Sequence, residues 1–313
     1  MSIFQNTVRP DEDFFYSRND PNDIKMGEFV KSAPENYADA DFVLLGCPQD
    51  EGVRRNKGKV GAKDGPAAIR RSLYKFSVPE KVGYCEIFDL GDTIVDGSLE
   101  EIHDRQHDVV LKVLQDGKRL IILGGGNDIS YPDGSALAKQ SNDLLVFNVD
   151  SHFDVRKENI RHSGTPYRQL LDEKQVRPDR LYEMAGKDIV NSPEYRRYLN
   201  ETGAHVYPLE ELRTEGIDKI FKEILNSSES EHIFWGFDLD VVQAQDAPGV
   251  SAGYPIGLTA EEICYIAKIA GNDKRSRILE LTELNPKYDI HERTAKLASM
   301  MILYYLDASA SIE

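Results

Sequence analysis

The chain has 313 residues, 40% of them hydrophobic, and carries a formal net charge of −16 at pH 7 with a pI near 5.0. This acidity disfavours nucleic acid and anionic membranes as partners, because binding either would add like-charge repulsion. Three cysteines without CxxC spacing, no apolar signal core at the N-terminus and no apolar run of about 18 residues predict a cytoplasmic protein without a membrane span.

Residues 1–40 are polar, and we expect them to lie on the surface of a single domain spanning residues 1–313. After them, short apolar runs alternate with longer amphipathic stretches. The strand candidates are residues 42–46, 86–90, 119–123, 144–149, 206–208, 232–237 and 278–283. The helix candidates are residues 65–75, 100–114, 128–139, 209–225, 259–269 and 290–306. This alternation predicts an α/β fold with a parallel sheet, which binds ligands at the carboxyl ends of its strands.

Residues of the types that commonly bind metal ions come directly after two of these strand candidates. Run 144–149 leads into Asp150, His152 and Asp154, and run 232–237 leads into Asp238 and Asp240. A spacing of two turns side chains to the same side of an extended backbone. Carboxylates with one imidazole suit Mn²⁺, and two such clusters could hold two ions about 3.5–4 Å apart. Either motif alone also fits a solvated loop or an ordinary strand exit, but their co-occurrence favours a metal centre.

At these residues the sequence resembles the arginase-like family of arginases, agmatinases and formimidoylglutamases. The resemblance spans residues 41–307 and rests on seven segments in the family's order: LLGCPQDEGVRRNKGKVGAKDGPAAIR, FDLGDT, LGGGND, VFNVDSHFDVR, HSGTPYRQLL, GFDLDVVQAQDAPGVSAGYPIGLT and ELNPKYDIHERTAKLAS. It implies a three-layer αβα sandwich with a central parallel sheet and a binuclear manganese site. It further implies that Asp150 and Asp238 bridge both ions, that Asp154 completes one site, and that His152 and Asp240 complete the other.

One expected ligand is replaced. The family supplies a histidine in a GGxH or GGGH motif after the preceding strand, whereas here Asn127 follows three glycines. A carboxamide oxygen is a weaker donor to Mn²⁺ than an imidazole. The resemblance therefore implies one weak metal site, with Asn127 as a weak ligand or as no ligand.

Within the family, the motifs resemble the formimidoylglutamase branch most closely, including GVRRN at residues 52–56 and SGTPYRQ at residues 163–169. That branch hydrolyses N-formimidoyl-L-glutamate to glutamate and formamide in histidine degradation. Because the substrate carries two carboxylates, which guanidinium groups bind bidentately, we expect Arg54, Arg55 and Arg168 to bind it, together with Asn56.

Two residues are expected to act on the reacting group. Glu283 ends the last predicted strand and matches the family's glutamate that pairs with the guanidinium of the substrate, here the formimidoyl amidinium. Asp154 would shuttle a proton to the departing amine, while the two metal ions lower the pKa of a bridging water.

Two alternatives stay open. The chain could be another amidinohydrolase, acting on arginine, agmatine or a guanidino acid, which would release urea rather than formamide. It could instead be a catalytically silent protein of the same fold with weakened metal binding, which Asn127 favours and the retained acidic cluster disfavours. The family also makes a homo-oligomer possible, although no motif selects its size.

Overall fold

The computed structural model describes residues 3–311. Nine strands in that range form one sheet: β1 (Thr7–Val8), β2 (Phe42–Gly46), β3 (Ile87–Thr93), β4 (Arg119–Leu123), β5 (Leu144–Val149), β6 (Leu181–Gly186), β7 (His205–Pro208), β8 (His232–Asp238) and β9 (Ser276–Thr282). The α-helices of the same range are α1 (Met26–Phe29), α2 (Glu51–Arg55), α3 (Gly65–Leu73), α4 (Leu99–Gln115), α5 (Ser130–Ala138), α6 (Pro166–Asp172), α7 (Pro193–Thr202), α8 (Leu209–Glu215), α9 (Ile217–Ser227), α10 (Ala260–Gly271) and α11 (Arg293–Ser309). Across residues 3–311, no helix combines the length and the apolar character needed to cross a bilayer.

The sheet is parallel except at one edge. Its strand order is β1-β3-β2-β4-β9-β8-β5-β6-β7, and only β1 runs antiparallel to its neighbour among the described strands. β9, the last strand in the sequence, lies in the middle of the sheet between β4 and β8. Parallel pairing brings the carboxyl ends of β2 to β9 to one edge of the sheet.

Helices cover both faces of the sheet. Along β2, Phe42 and Leu44 point into one hydrophobic core, and Val43 and Leu45 point into the other. Residues of α3 and α8 to α11 fill the first core, and residues of α4 to α7 fill the second. This alternation follows from the two-residue period of a strand, and it confirms the expected three-layer αβα sandwich.

The N-terminal segment packs against one edge of the sheet. In the antiparallel pair, Thr7 lies opposite Thr93. Phe14 and Met26 are buried in the first core, and the Arg9 guanidinium lies 5.2 Å from the centre of the Phe88 ring. A few apolar side chains therefore anchor a segment whose composition is mostly polar.

The seven strand candidates are all present, with ends that differ by at most three residues. The helix candidate at residues 209–225 is divided into α8 and α9 by Gly216, whose φ of 96° favours glycine. β6 was not predicted, because Glu183 interrupts its short apolar run. In the structure Glu183 is buried and accepts a hydrogen bond of 2.7 Å from Asn148 on β5.

Candidate metal centre

Four neighbouring strands, in the order β4, β9, β8 and β5, bring the expected site residues to the same edge of the sheet. Asn127 follows β4, Glu283 follows β9, Asp238 ends β8 and Asp150 follows β5. Because these strands are parallel, their carboxyl ends lie side by side, where sheets of this kind bind ligands. Residues more than 150 positions apart in the sequence, such as Asn127 and Glu283, are therefore in contact.

Potential ligand atoms form two overlapping groups. Asp150, His152 and Asp240 make up one group, and Asp150, Asp154 and Asp238 make up the other. Within each group the atoms lie within 4.8 Å of one another, and Asp150 belongs to both. The structure thus brings together the five acidic and imidazole side chains that the sequence singled out, around two adjacent positions.

The electrostatics of this cluster fit a cation. Burial raises the pKa of Asp150 to about 6, with a further contribution from the charge of Asp240. Burial and the neighbouring carboxylates also raise the pKa values of Asp154 and Asp238 well above the ordinary range. Asp240 Oδ1 is buried and has no hydrogen-bond partner among the described residues. An oxygen-rich donor set with one imidazole and an unsatisfied buried carboxylate oxygen suits divalent manganese.

His152 partly balances these charges. Its Nδ1 lies 3.1 Å from Asp240 Oδ2 and 3.5 Å from Asp150 Oδ1. Burial alone would lower the pKa of His152, but the charge of Asp240 and hydrogen bonds to both carboxylates outweigh it and raise the pKa. Its Nε2 lies 3.4 Å from the hydroxyl of Tyr254. Nδ1 is therefore the ring nitrogen that faces the ligand group.

Asn127 turns its carboxamide nitrogen toward the acidic cluster. Nδ2 donates to Asp154 Oδ2 at 2.6 Å and lies 3.4 Å from Asp150 Oδ2. The oxygen points the other way, accepting a 2.9 Å hydrogen bond from Thr282 Oγ1 and lying 3.1 Å from Ser130 Oγ. An amide nitrogen has no lone pair for a metal ion, so in this orientation Asn127 holds a candidate ligand rather than acting as one.

Glu283 is held rigidly beside the cluster. Its Oε1 accepts from the backbone N–H of Asn127 at 2.9 Å, and its Oε2 accepts from Ser251 Oγ at 2.8 Å. Burial raises the pKa of Glu283 to about 7. Its φ is 64° and that of Asp154 is 46°, a left-handed backbone that is uncommon for these residues. Such strain clusters at functional sites.

A cavity of about 370 Å³ opens above the cluster, within the size range of small-molecule sites. Its floor includes His152, Asp154, Asp238, Asp240 and Glu283. Its walls are formed by Val53, Asn56, Gly58, Asn127, Arg156, Ser163, Val190, Asn191, Ser192, Tyr195, Ser251 and Ala252. The arrangement can hold a small polar molecule against the ligand groups.

Arg54 and Arg55, which we expected to bind substrate carboxylates, are not in this lining. Arg54 is exposed, and its Nε donates to Glu51 at 2.6 Å. Arg55 contacts both Glu51 and Glu100, the latter at 2.6 Å. The spacings of three and four residues on α2 place Glu51 beside both arginines. Their guanidinium groups are therefore engaged within the protein.

Arg168 also lies outside the cavity. Its Nε donates to Asp172 at 2.8 Å, one helical turn away, and its guanidinium lies 3.8 Å from the centre of the Tyr198 ring. Asn56, by contrast, does line the cavity, where its Nδ2 donates to Ser163 Oγ at 3.0 Å. Of the four side chains expected to bind substrate carboxylates, the structure therefore brings Asn56 to the cavity.

Arg156 is the arginine in this cavity lining, and our sequence reasoning did not select it. It is exposed and forms no ion pair with any residue in the range 3–311. Its side chain crosses Gly164, where a Cβ would lie 2.8 Å from Arg156 Cδ. The signal was present in the sequence, because Arg156 continues the two-residue spacing of Asp150, His152 and Asp154.

The loop that follows β6 forms another part of the wall that the sequence did not predict. Asn191 Oδ1 accepts from the backbone N–H of Phe153, and Asn191 Nδ2 donates to the backbone oxygen of Ser151 at 2.8 Å. These bonds attach the loop to the segment that carries His152. Because β6 itself was missed, the loop could not be assigned to the carboxyl edge of the sheet.

Two crystal structures of known proteins are similar to the structure of this chain. That of Trypanosoma cruzi formiminoglutamase with Mn²⁺ matches with a TM-score of 0.87 and 32% identity, covering 92% of this chain and 99% of that one. That of Bacillus subtilis formimidoylglutamase matches with a TM-score of 0.87 and 26% identity, covering 94% of each.

Sequence comparisons give the same picture. The formimidoylglutamase of Rhodococcus jostii is 32% identical over 83% of this chain and 83% of its own length, and that of Klebsiella pneumoniae is 30% identical over 90% and 91%. The model of the arginase family matches residues 40–307. The resemblance of the motifs is thereby confirmed, and the chain belongs to the arginase family.

Proposed function

We propose that this protein is a manganese-dependent formimidoylglutamase, which hydrolyses N-formimidoyl-L-glutamate to L-glutamate and formamide. As a member of the arginase family, the chain is a hydrolase of C–N bonds in linear amidines. The main support for this substrate is the cavity. The candidate metal ligands line it together with Glu283 and Arg156, so that acidic groups and one arginine face the same small space. The names of the relatives supply independent support.

Five side chains would hold two Mn²⁺ ions. Asp150 is common to both ligand groups, His152 and Asp240 belong to one, and Asp154 and Asp238 belong to the other. When bound, the ions would supply a water of lowered pKa that can attack the substrate near neutral pH. In our proposal Asn127 is not a ligand, and one of the two sites is consequently the weaker.

Glu283 would orient the reacting group. Hydrogen bonds from Asn127 and Ser251 take one lone pair on each carboxylate oxygen, which leaves a second lone pair on each for the amidinium of the substrate. Pairing with a cationic amidinium also favours the ionised form of Glu283, whose pKa is raised to about 7 by burial. The formimidoyl carbon would thus be held in a fixed position above the ligand groups.

Arg156 would bind a substrate carboxylate at the wall of the cavity. Its guanidinium has no internal acidic partner within residues 3–311, so no ion pair has to break before a carboxylate binds. Asp154 would accept a proton from the attacking water and pass it to the departing amino group of glutamate as the C–N bond breaks. Together these residues bind an acidic amidine and protonate its leaving group.

The direct test is the incubation of purified protein, loaded with Mn²⁺, with N-formimidoyl-L-glutamate. We expect formamide and glutamate in a one-to-one ratio, and slow or no urea release from arginine or agmatine. Urea as the main product from either guanidino compound would assign the chain to another branch of the family. No hydrolysis of any of these substrates at saturating Mn²⁺ would instead support a catalytically silent protein.

A further inference from the structure

Lys187, in the loop after β6, is a buried cation beside the metal centre. The residue is 8% exposed, and its Nζ donates to Ser151 Oγ at 2.7 Å. The ammonium also lies 4.9 Å from the centre of the Tyr254 ring. It forms no ion pair within 4.0 Å among residues 3–311. Burial lowers the pKa of Lys187, and the charges of Asp240, Asp150 and Asp238 act in the opposite direction and favour the ammonium. A buried lysine without a carboxylate partner is unusual.

Ser151 connects this lysine to both ligand segments. The residue lies between Asp150 and His152 in the chain, and its hydroxyl donates to the backbone oxygen of Asp240 at 2.9 Å. Its own backbone oxygen accepts from the backbone N–H of Lys187 at 3.1 Å. The ammonium is therefore fixed in position relative to the acidic cluster, without contacting any of the ligand oxygens.

We propose that Lys187 is a built-in countercharge of the metal centre, which stabilises the metal-free cluster and thereby weakens the binding of Mn²⁺. This inference rests on the metal site proposed above. The buried carboxylates of Asp150, Asp238, Asp240 and Glu283, together with the partly buried Asp154, repel one another when no ion is present. A fixed positive charge reduces that repulsion. Once divalent ions bind, the same charge repels them, so a single residue affects the two states in opposite directions.

Lys187→Gln is the decisive variant, because glutamine can still donate a hydrogen bond to Ser151 but carries no charge. We expect the dissociation constant for Mn²⁺, measured by calorimetric titration of metal-free protein, to fall about tenfold. The Tm of the metal-free protein should fall as well, so that Mn²⁺ raises the Tm of the variant more than that of the natural protein. A purely structural role would lower the Tm without tightening metal binding.

Two further variants serve as controls. Lys187→Arg keeps the charge and should retain a near-natural dissociation constant. Lys268→Gln makes the same change of net charge at an exposed position on α10 and should leave Mn²⁺ binding unchanged. If metal-free Lys187→Gln does not fold, the rate at which the Mn²⁺-loaded protein loses its metal to excess EDTA gives the same comparison, and we expect a slower loss.

The outcomes separate this inference from the proposed function. If the natural protein binds Mn²⁺ and Lys187→Gln binds it equally or more weakly, Lys187 is not a countercharge, although the metal site stands. If Lys268→Gln tightens binding as much as Lys187→Gln, the effect comes from net charge and the inference is also overturned. If the natural protein binds no Mn²⁺ at all, it is the metal site that fails.

Discussion

The carboxamide nitrogen of Asn127 lies 2.6 Å from Asp154 Oδ2, while its oxygen accepts a hydrogen bond from Thr282 on the opposite side. Both ends of the amide are therefore occupied, and turning it over would set its oxygen against the Asp154 carboxylate. At the position where the resemblance implies a histidine ligand, Asn127 therefore holds the candidate ligand Asp154 in place. This contact determines what a substitution at residue 127 should do.

Replacing Asn127 by histidine should strengthen metal binding, because imidazole offers Mn²⁺ a lone pair that the amide nitrogen lacks. We expect the dissociation constant for Mn²⁺ at the weaker site to fall about tenfold, since changes to residues around a metal site typically alter metal affinity by at least this factor. Metal content after gel filtration, together with Mn²⁺ titration, measures the change. Asn127→Ala, which removes the amide without adding a ligand, is the matched control. Equal titrations for Asn127→His and the natural protein would contradict this prediction, because they would show that even an imidazole at position 127 does not reach the metal ions.

Asp238→Asn should abolish turnover while stabilising the metal-free protein. Asp238 is 3% exposed, and its pKa is raised by burial and by the charges of Asp240 and Asp150. Removing its charge relieves this repulsion and at the same time removes a ligand. We expect a higher Tm in EDTA, no increase in Tm on addition of Mn²⁺, and formamide release at least about a thousandfold slower. Normal activity in this variant would exclude Asp238 from the site.

Replacing Arg156 by glutamine should weaken substrate binding. Loss of a guanidinium–carboxylate pair is expected to raise the KM for N-formimidoyl-L-glutamate about 10- to 100-fold, with a smaller change in kcat. Arg156→Lys should recover part of the loss, because a point charge replaces a bidentate fork. Arg54→Gln is the control, since Arg54 is exposed and pairs with Glu51. A larger effect at Arg54 than at Arg156 would return the carboxylate-binding role to the GVRRN segment.

The stability of the metal-free protein should fall as the pH rises from about 4 to 7. Burial raises the pKa of Asp133 to about 7 and that of Glu280 well above its ordinary range, and the two carboxyl groups interact with each other. One oxygen of each, Asp133 Oδ2 and Glu280 Oε2, has no hydrogen-bond partner among the described residues. Unfolded aspartate titrates near pH 3.9, about three units lower, so the folded chain holds more protons across this window and loses stability as they dissociate.

Asp133→Asn should remove much of this dependence, because its amide can donate to Glu280 at any pH. The Tm of the metal-free variant should exceed that of the natural protein by about 2–4 °C at pH 8 and should lose this advantage at pH 5. Thermal unfolding in EDTA at both pH values measures the difference. Asp64→Asn, at an exposed position, provides the comparison. A difference that is constant with pH would argue against a shared proton at Asp133 and Glu280.

The sequence was sufficient for the layers of the fold and for the acidic cluster, because both depend on local patterns. Apolar runs determine where strands lie, and residues directly after a parallel strand have to lie at one edge of the sheet. Asp150 and Asp238 follow from that argument without coordinates. β6 could not be predicted in this way. Its apolar run is interrupted by Glu183, and the burial of Glu183 depends on a hydrogen bond from Asn148 of the neighbouring strand.

The substrate residues were harder to predict, because ion pairing is a property of three-dimensional neighbours. Arg54, Arg55 and Arg156 are equally cationic in the sequence. Glu51 and Glu100 engage the first two, whereas Arg156 is left facing the cavity. The amide orientation of Asn127 likewise depends on Thr282, a residue 155 positions away.

The central position of β9 has a consequence for the synthesis of the chain. This strand, residues 276–282, joins the half of the sheet that contains β4 to the half that contains β8, and it emerges from the ribosome after every other strand. Until β9 is present, no strand pairing connects the residues after β4 to those at the ends of β5 and β8. The two halves can therefore unite, and the residues of the candidate metal centre can come together, only after residues 276–282 have been synthesised.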